Sequence, residues 1–176
     1  MNMLFPKSAD NNYQGHKIVF FIFIPFLLLM TWRSIIHMFF TEFGLHEIAN
    51  VKVLVGEPDP MPLIYSFFSV WGFIQLILCS LSWIVLIRYR SLIPLIIFSF
   101  LVEWSARTLR SDSILNNPLY SDGITPGVVY APYMTLGLLI LFILSFVNQY
   151  LLSSELFSSS SQSSNSSVFS ETTSLF

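Results

Sequence analysis

Long apolar blocks alternate with polar connections along this chain, and each block is read as a helix. The first runs from about Ile18 to Phe40, long enough to span a bilayer, and no small-x-small cleavage site follows Ile18 to Met30. An uncleaved first helix is therefore expected. The second block, Leu63 to Ile87, has Gln75 as its only strongly polar side chain, and Pro60 and Pro62 stand just before it, where a helix can start. The link Arg88-Tyr89-Arg90-Ser91 is so short that the third block, Leu92 to Leu109, must return beside the second as an antiparallel hairpin. Pro94 sits in the opening turn of that block, where it costs little. The last block runs from about Val129 to Leu152 around the apolar run Leu136 to Phe146.

The pattern predicts an all-α, integral membrane four-helix bundle with spans at about 18–40, 63–87, 92–109 and 129–152. A polar segment (1–17) precedes it and a Ser-rich tail (153–176), expected to be disordered, follows it. The third span is the weakest. A charge at mid-membrane costs roughly 2.5–3.5 kcal/mol and each Leu, Ile or Phe returns only about 0.3–0.6, so Glu103 and Arg107 make its insertion depend on neighbours. The connections Thr41 to Met61 and Arg110 to Val128 carry turn sequences such as Glu57-Pro58-Asp59-Pro60 and Ser121-Asp122-Gly123, and read as ordered or semi-ordered loops.

Composition sharpens this picture. With 54% hydrophobic and only 10% charged residues, a soluble fold could not hide the apolar surface, and 176 residues leave no room for a separate soluble domain. The net charge of -2 gives no footprint for nucleic acid. Cys79, the lone cysteine, can form no internal disulfide and reads as a small packing residue. Lys7, Lys17, Arg88 and Arg90 fall on one side of the four spans, opposite Lys52, Arg110 and most of the acidic residues, which predicts both termini cytoplasmic. The expected location is a multi-pass protein of the plasma (inner) membrane if the chain is bacterial. On a cytoplasmic tail the triplet Asn165-Ser166-Ser167 carries no glycosylation signal. No Gly-rich phosphate loop, nucleophile elbow or cysteine pair is present, and no cofactor is expected.

Candidate chemistry comes from ionisable residues inside the spans, which are expensive to bury unless they pair or face a wet cavity. Arg33 and His37 lie four apart on the first helix, Glu103 and Arg107 four apart on the third, so each pair shares a face. All four fall in the outer half of the oriented bundle, and Gln75 could extend their network inward. Two readings stay open. Glu103 and Arg107 could neutralise each other while Arg33 snorkels outward; alternatively, the surplus positive charge binds an anionic group such as a lipid phosphate or a carboxylate. His37 alone reads as a hydrogen-bonding residue near a helix end. Glu42, His46 and Glu47 match no metal-site spacing and read as a solvated turn or interfacial helix. The aromatics Trp32, Trp71, Trp83, Trp104, Tyr65 and Tyr130 need no cofactor, several lying near span ends where aromatic belts form. Gly72 and Ser80 could let helices approach closely.

The segments Ser69 to Leu76 and Arg88 to Pro94, with Glu103 and Arg107, resemble those of the small bacterial membrane proteins grouped as DoxX-like, over roughly Trp32 to Leu144. That resemblance implies four short spans and assigns no activity. Tyr130-Ala131-Pro132-Tyr133 is similar to the opening of the last helix in the sterol isomerase and sigma-2 receptor superfamily, but the acidic residues that family uses in its first two helices have no counterpart here. The leading expectation is a non-enzymatic protein that binds a small amphiphile or a partner subunit through Arg33, His37, Gln75, Glu103 and Arg107. The competing expectations are an enzyme acting on a lipid or quinone headgroup, with His37 or Glu103 as acid/base, and an assembly subunit without a ligand.

Overall fold

The computed structural model describes residues 3–110 and 117–147; the predicted Ser-rich tail and the end of the last span lie outside the described residues. Among the described residues the protein is helical, with no strand beyond one isolated antiparallel bridge, Val51 to Ser121. The order is α1 (Lys17–Phe39), a π-helical turn (Phe43–Ile48), α2 (Met61–Arg88), a 3-10 turn (Arg90–Leu92), α3 (Ile93–Leu109), the short α4 (Pro126–Val129) and α5 (Ala131–Val147). Three stretches, Lys17–Phe39, Met61–Arg88 and Arg90–Leu109, are long and apolar enough to cross a membrane. These suggest a membrane-embedded protein. Their outward faces carry large apolar side chains in the open, such as Phe21, Phe67 and Ile87, as lipid-facing helices do.

Local chemistry sets the helix ends. The ring of His16 accepts a hydrogen bond from the Ile18 N–H at 3.2 Å and caps α1, while the Asp59 carboxylate accepts from the Met61 N–H at 3.0 Å where α2 begins. Proline stands in the first turns of α2 and α3, where its missing N–H is not needed. The link between α2 and α3 is as tight as the sequence requires.

A single core joins Phe23, Leu27 and Met30 of α1, Cys79 and Leu86 of α2, Ile97 and Phe100 of α3, and Leu138 and Leu141 of α5. Small residues let the backbones come close. Ser34, Ser82 and Ser145 are fully buried, each hydroxyl donating to a carbonyl three or four residues back in its own helix, so none is left unpaired. Gly72 lies against the α1 backbone: a Cβ there would stand 2.6 Å from the Met38 nitrogen. Between helices, the Trp83 indole donates to Thr31 at 3.0 Å, the Ser69 hydroxyl donates to the Met38 carbonyl at 3.0 Å, and Thr108 meets Thr135 at 2.8 Å.

Each end of the helices is closed by loop contacts. At one end the N-terminal segment reaches the α2–α3 link, where the Asp10 N–H donates to the Ser91 hydroxyl and the Ser91 hydroxyl donates to the Asp10 carbonyl, both at 3.0 Å. At the other, residues 49–52 and 117–125 are knitted into one clasp. The Lys52 N–H donates to the Tyr120 carbonyl (2.8 Å), the Asp122 N–H to the Asn50 carbonyl (2.9 Å), and the Thr125 hydroxyl to the Ala49 carbonyl (2.7 Å). The Asn50 amide donates to the Ile124 carbonyl at 2.7 Å, and Lys52 pairs with Asp122 at 3.1 Å. Asn50 sits at φ 55°, a left-handed conformation that asparagine tolerates better than most residues.

Candidate functional site

Helical periodicity aims the predicted polar residues inward from three helices. Arg33 and His37 repeat at four residues on α1, Trp71 and Gln75 on α2, and Glu103 and Arg107 on α3, and the close seating of Gly72 on α1 brings the first two faces together. The Gln75 amide donates to a Glu103 carboxylate oxygen at 2.7 Å, and the same oxygen takes a hydrogen bond from the Arg107 guanidinium. Glu103 thus joins Gln75 to Arg107, while Arg33 and His37 share a cavity wall with Glu103 and Arg107.

Two tryptophans complete the arrangement. The Arg33 guanidinium lies 5.1 Å from the Trp71 ring and 5.6 Å from Trp104, and that of Arg107 lies 4.5 Å and 5.3 Å from the same two rings. Arg33 therefore turns inward, and the outward-snorkelling alternative is not what the fold adopts. Trp71 and Trp104 face the same guanidiniums from α2 and α3. Their spacing carried the signal: Trp71 stands four before Gln75, and Trp104 stands beside Glu103 and three before Arg107, so both share the polar faces. His37 is buried, stacked on Trp71 at 4.9 Å and tilted against Phe68 at 4.5 Å.

These groups open onto a cavity of about 540 Å³. Arg33, His37, Trp71, Glu103, Arg107 and Arg110 contribute to its wall; the loops supply Leu45, Ile48, Ala49 and Val51 on one side and Thr125 to Val128 on the other. Gly127 comes within 3.9 Å of the Arg33 guanidinium, measured from where its Cβ would be. The wall holds three guanidiniums against one carboxylate, and that carboxylate is already engaged by Arg107 and Gln75. Among the described residues Arg33 pairs with no carboxylate.

Several buried polar atoms here lack a hydrogen-bond partner among the described residues: Arg33 Nη1, His37 Nδ1, Glu103 Oε2 and Arg107 Nε, and, one contact further in, Gln75 Oε1 and Trp104 Nε1. Native interiors leave few such atoms unpaired, and a concentration of them around one cavity marks it as built for something polar. Apart from Arg110 and Thr125, the remaining wall is apolar.

His46 and Tyr65 belong to the loop scaffold. The His46 ring nitrogens lie 2.6 Å from the Val51 carbonyl and 2.7 Å from the Tyr65 hydroxyl. A carbonyl can only accept, so Nδ1 carries the proton and Nε2 accepts from the phenol. His46 thus fixes the strand of loop that carries the clasp. Cys79 is buried 3.8 Å from the Ser34 hydroxyl, in the core rather than in the cavity wall.

No family model, no curated protein and no solved structure matches this chain.

Proposed function

We propose that this chain is a four-span membrane protein, with both termini cytoplasmic, that binds a small amphiphile by its anionic head in the cavity between Arg33 and the loop clasp. The observation that carries the reading is the set of unpaired buried atoms of Arg33, His37, Glu103 and Arg107 around one small cavity. An uncompensated buried charge costs several kcal/mol, and an anion seated against Arg33 would offset that cost. A concave volume of this size favours a small molecule over a partner subunit, which would need a broad surface. As to the fourth span, α5 runs about 25 Å over its described 17 residues, close to the roughly 30 Å hydrocarbon core. The basic residues at the α2–α3 link and before α1 support the orientation, which sets the cavity in the outer half of the membrane. Under the same proposal the DoxX-like resemblance is one of architecture and brings no activity with it.

The test is native mass spectrometry of the chain in mild detergent, comparing wild type with Arg33→Ala and Glu103→Gln. A small molecule that travels with wild type and is lost from either variant, with helicity intact by circular dichroism, is the expected result. Bare wild-type protein, or a bound molecule indifferent to both changes, refutes the reading and leaves the charges as structural contacts.

A further inference from the structure

Of the unpaired atoms around the cavity, His37 Nδ1 can donate or accept according to its tautomer, and the other three have fixed roles. Arg33 Nη1 and Arg107 Nε can only donate; Glu103 Oε2, the second oxygen of the carboxylate that pairs with Arg107, accepts. An anionic head satisfies the first two and is repelled by the third. A neutral hydroxyl satisfies the third and leaves Arg33 without a counter-charge. Only a head that presents both kinds of group at once meets the whole wall.

Size limits what can follow the head. A cavity of about 540 Å³ is the size of a small-molecule site and takes a compact head with part of one chain. The apolar part of the wall, from Leu45, Ile48, Val51, Phe68 and Val128, begins directly beside the charged groups. A chain attached to the head can thus enter without crossing further polar surface.

Resting on the ligand-site reading above, we infer that the ligand is a single-chain amphiphile whose head carries an anionic oxygen and, adjacent to it, a free hydroxyl: the anion lies between Arg33 and Arg107, and the hydroxyl donates to Glu103. A monoacyl glycerol phosphate has this chemistry. Glu103 is then a specificity residue as well as the partner of Arg107, reading the hydroxyl through its second oxygen.

Four probes separate the parts of this inference, each tested for binding to the purified full chain in detergent: a 1-acyl glycerol 3-phosphate (anion and hydroxyl), an alkyl phosphate of equal chain length (anion only), a 1-monoacylglycerol (hydroxyl only) and glycerol 3-phosphate (head without chain). The acyl glycerol phosphate should bind tightest. Loss of one hydrogen bond to a charged acceptor predicts binding about ten- to a hundredfold weaker for the alkyl phosphate. Glu103→Gln should shrink that gap to a few-fold, because the acceptor becomes neutral. Equal affinity for the two phosphates in wild type overturns the hydroxyl inference while the anion site stands. A monoacylglycerol that binds as well as its phosphate, or wild-type protein that binds none of the four, overturns the anion site itself. Glycerol 3-phosphate binding as tightly as its acylated form overturns the requirement for a chain, and names a free phosphate ester as the ligand.

Discussion

Replacing Gly72 by alanine should separate α1 from α2 and disturb the polar cluster without touching any of its residues. A methyl at that position would stand 2.6 Å from the Met38 nitrogen and 2.8 Å from both the carbonyl carbon and the Cβ of His37. Ordinary contacts between such atoms are about 3.5–4.0 Å, so the helices must part by about 1 Å. Two of the three atoms are backbone, and no rotamer change relieves them. Overpacking of this kind costs about 1–3 kcal/mol, while the better helix propensity of alanine returns about 0.8–1.0, leaving a net loss of up to about 2 kcal/mol. At about 2–4 °C per kcal/mol for a chain of this size, thermal unfolding in detergent followed by tryptophan fluorescence should move down by up to about 8 °C. Gly137 is the internal control, since a Cβ there meets nothing within 4 Å, and Gly137→Ala should leave the midpoint unchanged or raise it. Because His37 is one of the residues pushed, Gly72→Ala should also weaken ligand binding. A Gly72→Ala variant that melts at or above wild type would show that α1 and α2 are not seated this closely.

Other perturbations reach different parts of the structure. Glu103→Leu leaves the guanidiniums of Arg33 and Arg107 together over the same two indoles, and should cost about 2–4 kcal/mol in thermal unfolding; adding Arg107→Met should restore at least half of it, whereas additive losses would refute the pairing. In the clasp, Asn50→Val should cost about 1–2 kcal/mol through its φ of 55° and expose residues 49–53 to limited proteolysis, with Asn50→Gly the milder change; equal cleavage of the two variants would argue against the left-handed conformation. At the other end, burial pushes the Tyr13 phenol above its ordinary 10.0. A folded value raised above the unfolded one means this contribution is complete below about pH 10 and is lost as pH rises beyond it. An absorbance titration that finds every tyrosine ionising normally near pH 10 would contradict the burial of the Tyr13 hydroxyl.

Spans and hairpin were legible because length and hydropathy alone specify them: α1, α2 and the stretch from Arg90 begin and end within two residues of the predicted blocks. The cluster was legible for a related reason. Charges inside apolar blocks have few places to go, and four-residue spacing puts each pair on one face. Direction was harder to read. Whether Arg33 snorkels or turns inward depends on which indoles stand opposite it, a tertiary fact, and Trp71 and Trp104 looked like any aromatics of a membrane protein until their spacing to Gln75 and Arg107 was considered. Least legible was the clasp. Its backbone hydrogen bonds join residues about seventy positions apart and leave no periodic trace in either loop, so the closure of the cavity by Ala49, Val51 and Thr125 to Val128 had no sequence signal.

That clasp also imposes an order on biogenesis. Ribosomal synthesis delivers residues 49–52 long before 117–125, so the first three helices can meet, and Gln75 can receive Glu103, while the cavity still lacks one of its walls. Until the segment before α5 arrives, Arg33 lacks the wall that Thr125 to Val128 supply. The cavity therefore has all of its walls only once both loops are joined, and a ligand of the finished protein enters past the clasp.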